Sequence, residues 1–140
     1  MAPSTTGASP RAGDAFSYPA SVSRVHRRQV GTRLRLVLPR TVVELREWGL
    51  RLHNCLGSFA VAVSSGRSLI VGVERHDVLA YCAELSPRSR TMRQLHGSHN
   101  HAVPTDDAAA VCAALVEADL LDPAQPVNRP WIELSRSMAG

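Results

Sequence analysis

Cysteine, histidine, asparagine and glutamine crowd into two short segments of this chain. The first is Leu52-His53-Asn54-Cys55-Leu56-Gly57-Ser58-Phe59, and the second is Gln94-Leu95-His96-Gly97-Ser98-His99-Asn100-His101. Polar side chains of these types cost free energy when buried without partners. A fold that gathers them has built either a satisfied network or a site. Cys55 is the candidate nucleophile. A helix beginning beside it would favour the thiolate, and Gly57 and Ser58 would present backbone N–H groups to an oxyanion. His53 is two residues away, a spacing that turns it from Cys55 on a helix. His96 or His99, arriving at the end of a strand, is the better base. Gln94, Asn54 and Asn100 are suited to orienting an imidazole or a substrate amide. The plain alternative for Cys55 is a small, inert, buried hydrophobe.

The same residues invite a metal reading. His96, His99 and His101 form H-x-x-H-x-H, and His53 and Cys55 form H-x-C. These spacings match no zinc pattern, and loop histidines are commonly solvated. Neither a metal nor a cofactor is expected. Cys82 and Cys112 fall in apolar strand and helix patterns and read as core. His26 and His76 read as surface residues.

The elements that must position these groups follow from periodicity. Thr32–Leu38 alternates polar and apolar residues, the strand period, and ends at Pro39. Thr41-Val42-Val43-Glu44 is a capping box, and Val42, Leu45, Trp48 and Leu52 recur at helical spacing. This helix should run to about His53 or Asn54. Gly49 inside it costs about 1 kcal/mol relative to alanine. Gly57–Val63 predicts a second short helix closed by Gly66, with a buried strand as the alternative. Ser68–Glu74, Val78–Leu85 and Thr91–Leu95 read as three strands of an antiparallel meander. Thr105-Asp106-Asp107 opens a last helix that ends near Leu121 or Asp122. The expected fold is α+β: a small antiparallel sheet of three to four strands with helices packed on one face.

Length and composition set the outer bounds. The chain of 140 residues is long enough for one domain with tails. Residues 1–30 read as a disordered basic tail, 31–122 as the folded domain and 123–140 as a Pro-containing tail. Aromatic residues are only 4%, so the core must be built from Val, Leu and Ala. No apolar run is long enough for a bilayer, and no apolar leader segment is visible. Three cysteines without paired spacing argue against a disulfide framework. These features predict a cytoplasmic protein with no membrane association.

Every basic residue is arginine, and the charge is uneven. Residues 1–51 hold nine Arg against three acids, whereas residues 52–140 hold seven Arg against nine acids. Arg24, Arg27, Arg28, Arg33 and Arg35 would supply phosphate contacts to nucleic acid or a nucleoprotein complex. A codon preference for arginine explains the same composition. The few aromatic residues argue against a base-stacking platform.

In order and spacing, residues 36–121 resemble the PcfJ-like family, named after a protein of a conjugative-plasmid transfer region and found in phages and other mobile elements. The matching positions are Cys55-Leu56-Gly57-Ser58-Phe59, Ser65-Gly66, Leu69-Ile70-Val71, Ala83-Glu84 and Gln94 through Asn100. Phe59 stands where the family more often has Tyr, so no phenolic hydroxyl is required there. His96 stands where Arg or Lys is common. The resemblance implies a mobile-element accessory domain with a site at Cys55, Glu84, Gln94, His96 and Asn100, and it implies no particular reaction. Glu84 enters on this ground; a solvent-facing strand residue is its alternative reading. A cysteine-dependent hydrolase or transferase and an Arg-rich nucleic-acid-binding module are the two other functional readings.

Overall fold

A computed structural model describes residues 10–137. Five strands form one sheet in the order β1 (Arg28–Val30), β2 (Leu34–Val37), β3 (Leu69–Arg75), β4 (Val78–Ser86) and β5 (Thr91–His96). Each pairs antiparallel with its neighbour. The α+β class stands, with one more strand than the three to four expected. The missed strand is β1, too short at Arg-Gln-Val to show a period.

Helices cover both faces of the sheet, not one. Leu69, Val71 and Val73 of β3 join one apolar cluster with α4 (Thr105–Glu117) and Ile132 of α5 (Arg129–Ser137). Ile70, between them, joins a second cluster with α2 (Val42–Leu52) and α3 (Ala60–Ser64). Successive strand residues face opposite ways. A central strand covered on both sides therefore reads as a continuous apolar run, and Leu69-Ile70-Val71-Gly72-Val73 is such a run. Gly72 fits this packing: a Cβ there would lie 2.7 Å from Trp48 Cη2 of α2.

The local chemistry of α2 follows its sequence. Thr41 caps it, its side chain accepting from Glu44 N at 3.1 Å. Glu44 Oε1 reaches back to accept from Arg40 N at 2.7 Å. The helix ends on His53 in the left-handed conformation, with φ 52°. Asn54 N then donates to Gly49 O at 3.0 Å, the closing bond of a helix end of this type. Gly49 earns its place by contact: a Cβ there would meet Gly57 N at 3.2 Å and Asn54 O at 3.3 Å. Its missing side chain lets the Asn54–Gly57 turn fold back along α2.

Both expected tails contact the domain where they are described. Residues 1–9 and 138–140 lie outside the described residues. Residues 10–30, expected to form a tail, make specific contacts with the domain. Phe16 N donates to Arg40 O, and Val42 N donates to Asp14 O. The short helix α1 (Ala20–Ser23) carries Val22 into the core, and Val25 follows it. His26, read as a surface residue, is half-buried, and its Nδ1 accepts from Leu38 N at 2.9 Å. Composition hides these attachments because they use backbone pairing and a handful of apolar residues.

The segment after residue 122 is also fastened. Pro126 and Pro130 occupy the first turns of helical segments, where a missing N–H costs nothing. Asn128 is fully buried. It accepts from Met92 N at 3.1 Å and donates to Arg90 O at 2.9 Å and Asp122 O at 2.8 Å. Trp131 Nε1 donates to Met92 O at 3.1 Å. Together they cover the outer edge of β5. No helix among the described residues is long and apolar enough to cross a membrane.

Asn128→Ala should therefore lower stability by about 1–3 kcal/mol, because it leaves the buried Met92 N–H unpaired. The urea midpoint is the readout. An unchanged midpoint would mean that this segment does not hold the sheet edge.

Candidate functional site

The site forms where β4 and β5 pass beneath the α2 end of the sheet. Tyr81, Ala83 and Leu85 of β4 belong to the cluster on the α4 face, so Cys82 and Glu84 face the α2 side. Cys82 pairs with His96, and Glu84 pairs with Gln94. The register shifts just beyond, where Leu85 pairs with Met92. Arg93 is the extra residue of this bulge.

The bulge brings two consecutive side chains to one carboxylate. Arg93 Nη1 donates to Glu84 Oε2 at 2.8 Å, and Gln94 Nε2 donates to Glu84 Oε1 at 2.9 Å. Ser68 Oγ donates to Glu84 Oε2 at 3.3 Å and accepts from Arg93 at 3.1 Å. Glu84 is only 7% exposed. Its carboxylate is enclosed with all of its partners present, which departs from the solvent-facing alternative. Ser68 and Arg93 are members that sequence reasoning missed, because a bulge leaves no periodic trace.

The first polar segment does meet the second. Asn54 Oδ1 accepts from Leu56 N at 3.0 Å, which fixes its amide. Asn54 Nδ2 then points to Cys82 Sγ at 3.8 Å. Beside this contact, His53 and His99 stack with ring centroids 4.4 Å apart and planes within 4°. His101 lies at 5.9 Å from His99, tilted by 39°. The loop that carries them is tight: Gly97 N donates to His101 O at 2.8 Å, and both His99 and Asn100 adopt positive φ. Asn100 is exposed, its side chain outside the Glu84 network.

Cys55 stands apart from this network. It is an exposed free thiol at the head of a 3-10 turn, Leu56–Phe59. Among the described residues its sulfur has no hydrogen-bond or ion-pair partner. Its carbonyl is in use, accepting from Ser58 N at 2.9 Å and Ser58 Oγ at 2.7 Å. His53, its nearest imidazole in sequence, is engaged with His99. His96 sits across from Cys82 instead. The helical segment after Cys55 is a 3-10 turn leading into the five-residue α3, too short for a strong dipole.

The buried thiols are held in the protonated form. Burial pushes Cys82 up to about 11, against a smaller opposing pull from the Asn54 amide. Burial pushes Cys112, in the core of the α4 face, up to about 12. Among the described residues, no group of three or more His, Cys, Asp or Glu side chains is arranged to hold a metal. The ring lone pairs of His53 and His99 lie in parallel planes and do not converge on one point.

The basic stretch is partly neutralised. Arg28 pairs with Glu117 at 2.5 Å, and Arg35 pairs with Glu74 at 2.6 Å and Asp77 at 2.9 Å. Arg33 approaches the buried Asp107 at 3.9 Å. Arg24 and Arg27 are exposed and carry no acidic partner among the described residues.

These environments predict an order of thiol reactivity. In the folded protein iodoacetamide should modify Cys55 no faster than a small free thiol, while Cys82 and Cys112 should react only on unfolding. Peptide mapping after timed alkylation measures all three. A Cys55 rate well above that of the free thiol would show an activating group at its sulfur.

Among curated proteins and among solved structures, nothing matches this chain. A family model does. It spans residues 16–112, from the strand-like Phe16 segment through the Glu84 network to the middle of α4, and its description is PcfJ-like protein. The match takes in well over half of the sequence and every member of the polar cluster, and the chain belongs to the PcfJ-like family.

Proposed function

We propose that this chain is an accessory domain of a plasmid or phage mobile element that works by binding a partner, not by covalent chemistry. Family membership supports the setting. The observation that carries the mode of action is the exposed thiol of Cys55, without a partner among the described residues, beside an imidazole committed to a ring stack. A cysteine nucleophile needs a base or a stabilising charge at its sulfur. Glu84 is committed to a structural network, since Arg93, Gln94 and Ser68 donate to its two oxygens and the residue is only 7% exposed. What remains accessible is a polar rim: His53, Cys55, His99, Asn100 and His101. That rim is the recognition surface on this reading. The cell compartment is the cytoplasm, where mobile-element DNA is processed.

A second reading is favoured by one observation. Among the described residues Arg24 and Arg27 have no acidic partner, which leaves them to phosphates while Arg28, Arg33 and Arg35 are engaged. Nucleic-acid contact would then rest on two arginines, not five. The cysteine-dependent hydrolase or transferase is the third reading, and it requires a base to reach Cys55.

Transfer frequency of the element that carries this chain separates the three. Removing the chain should lower transfer. Cys55→Ser should leave transfer within a factor of about two, as expected of a surface substitution away from buried features. Loss of transfer in Cys55→Ser as complete as in the deletion would establish covalent chemistry. Loss confined to an Arg24→Gln/Arg27→Gln double variant would establish the nucleic-acid reading.

A further inference from the structure

At the opposite end of the α2 face, a cavity of about 180 Å³ opens between α2 and the β1–β2 hairpin. Its wall on one side is the Trp48 ring; on the other are His26, Arg27 and Arg35. Arg40 and Glu44 stand at the start of α2. The charges divide into spent and unspent groups. Arg35 is spent, because Glu74 Oε1 accepts from both Arg35 Nε at 3.0 Å and Nη2 at 2.6 Å. One oxygen of Glu44 is spent on the backbone N–H of Arg40, just before α2, at 2.7 Å. Arg40 is only loosely engaged: it pairs with Glu44 at 3.6 Å through a guanidinium that is 71% exposed, so an added anion can compete for it. Arg27 has no side-chain partner among the described residues.

The remaining donor is oriented by the fold. His26 Nδ1 accepts from Leu38 N, so in the neutral ring the proton resides on Nε2. Burial and the neighbouring Arg40 both lower the His26 pKa, which favours that neutral form. Arg27 is held at φ 68°, an uncommon backbone setting for a residue with a side chain, while its N–H donates to Leu36 O at 2.7 Å. That backbone bond fixes the turn before β1 and with it the point from which the Arg27 side chain leaves.

We propose that this cavity binds a single oxyanion, a phosphate or carboxylate group, between the guanidinium groups of Arg27 and Arg40 and the His26 imidazole. Arg27, without a side-chain partner among the described residues, the loosely paired Arg40 and the His26 N–H donor suit an oxyanion, while the two carboxylates of the lining, Glu44 and Glu74, are already matched to Arg40 and Arg35. The volume falls below the roughly 300–1,000 Å³ of sites for drug-sized ligands. It takes one anionic group, with anything attached to that group lying outside along Trp48. This site lies apart from the Glu84 cluster and does not depend on the accessory-domain reading.

The test is a titration of the full chain with inorganic phosphate, and separately with acetate, at constant ionic strength. Backbone amide shifts in ¹⁵N-resolved NMR spectra are the readout. Saturable shifts confined to residues 26–27 and 37–40 support the proposal, and the anion that produces them identifies the group. Arg27→Gln and Arg40→Gln should each weaken binding by about tenfold, the effect of losing one charge-assisted hydrogen bond. Both variants are at exposed side chains, and their unchanged spectra elsewhere would verify folding. Arg136→Gln, on α5, should bind as the unaltered chain does. Shifts that never saturate with either anion, or that persist equally in both cavity variants, would overturn the proposal.

Discussion

A carboxylate between a sheet and its covering helices is tolerated only if its charge is answered on the spot. Glu84 meets that condition through three neighbours, two from β5 and one from the turn before β3. Arg93 and Gln94 reach it because β5 carries a bulge opposite Glu84, and Ser68 reaches it from the foot of β3. The bulge, in turn, is fixed from outside. Asn128 and Trp131 bind the two backbone groups of Met92, the residue next to Arg93. One polar contact thus depends on a C-terminal segment that lies beyond the family match at residues 16–112. No buried side-chain nitrogen or oxygen among the described residues lacks a partner.

This arrangement separates two things that the sequence places together. Cys55 and Glu84 read as members of one reactive centre, but they serve at different depths. The sulfur that meets the polar network belongs to Cys82, through Asn54, and burial keeps it protonated. Cys55 is displaced outward by the turn that Gly49 permits. The two histidine-bearing segments meet at the surface, where His53 closes α2 in a left-handed conformation and stacks on His99. The rim is therefore polar and accessible, whereas the interior beneath it is occupied and closed. Such a division suits recognition better than turnover.

Much of the fold was legible because its signals are local. The α2 cap at Thr41 and the strands around Val71, Cys82 and Met92 follow from capping chemistry and periodicity; α4 starts where expected, with Asp106 and Asp107 in its first turn, but Thr105 is its first residue and makes no capping bond. The two polar segments touch through His53 and His99, which is not the expected pocket shared by the Cys55 thiol and the Gln94–Asn100 loop. What escaped was non-local. The second helical layer was signalled by the unbroken apolar run of β3, which the one-face expectation passed over. The N-terminal segment and α5 are held by backbone pairs, by Asn128 and by Trp131, whose partners lie roughly forty residues away in sequence. Arg93 was invisible as a site residue because a bulge changes which way a side chain points without changing composition.

The coupling between Glu84 and Arg93 tests the central claim most directly. A double-mutant cycle with Glu84→Gln, Arg93→Met and the pair, followed by urea unfolding, isolates that contact from each residue's separate effects. The account predicts that the two substitutions are non-additive by about 1 kcal/mol or more, with the double variant less destabilised than the sum of the singles. Strict additivity would contradict it, and would mean that Glu84 is held by burial alone and that the bulge on β5 has no part in building the site.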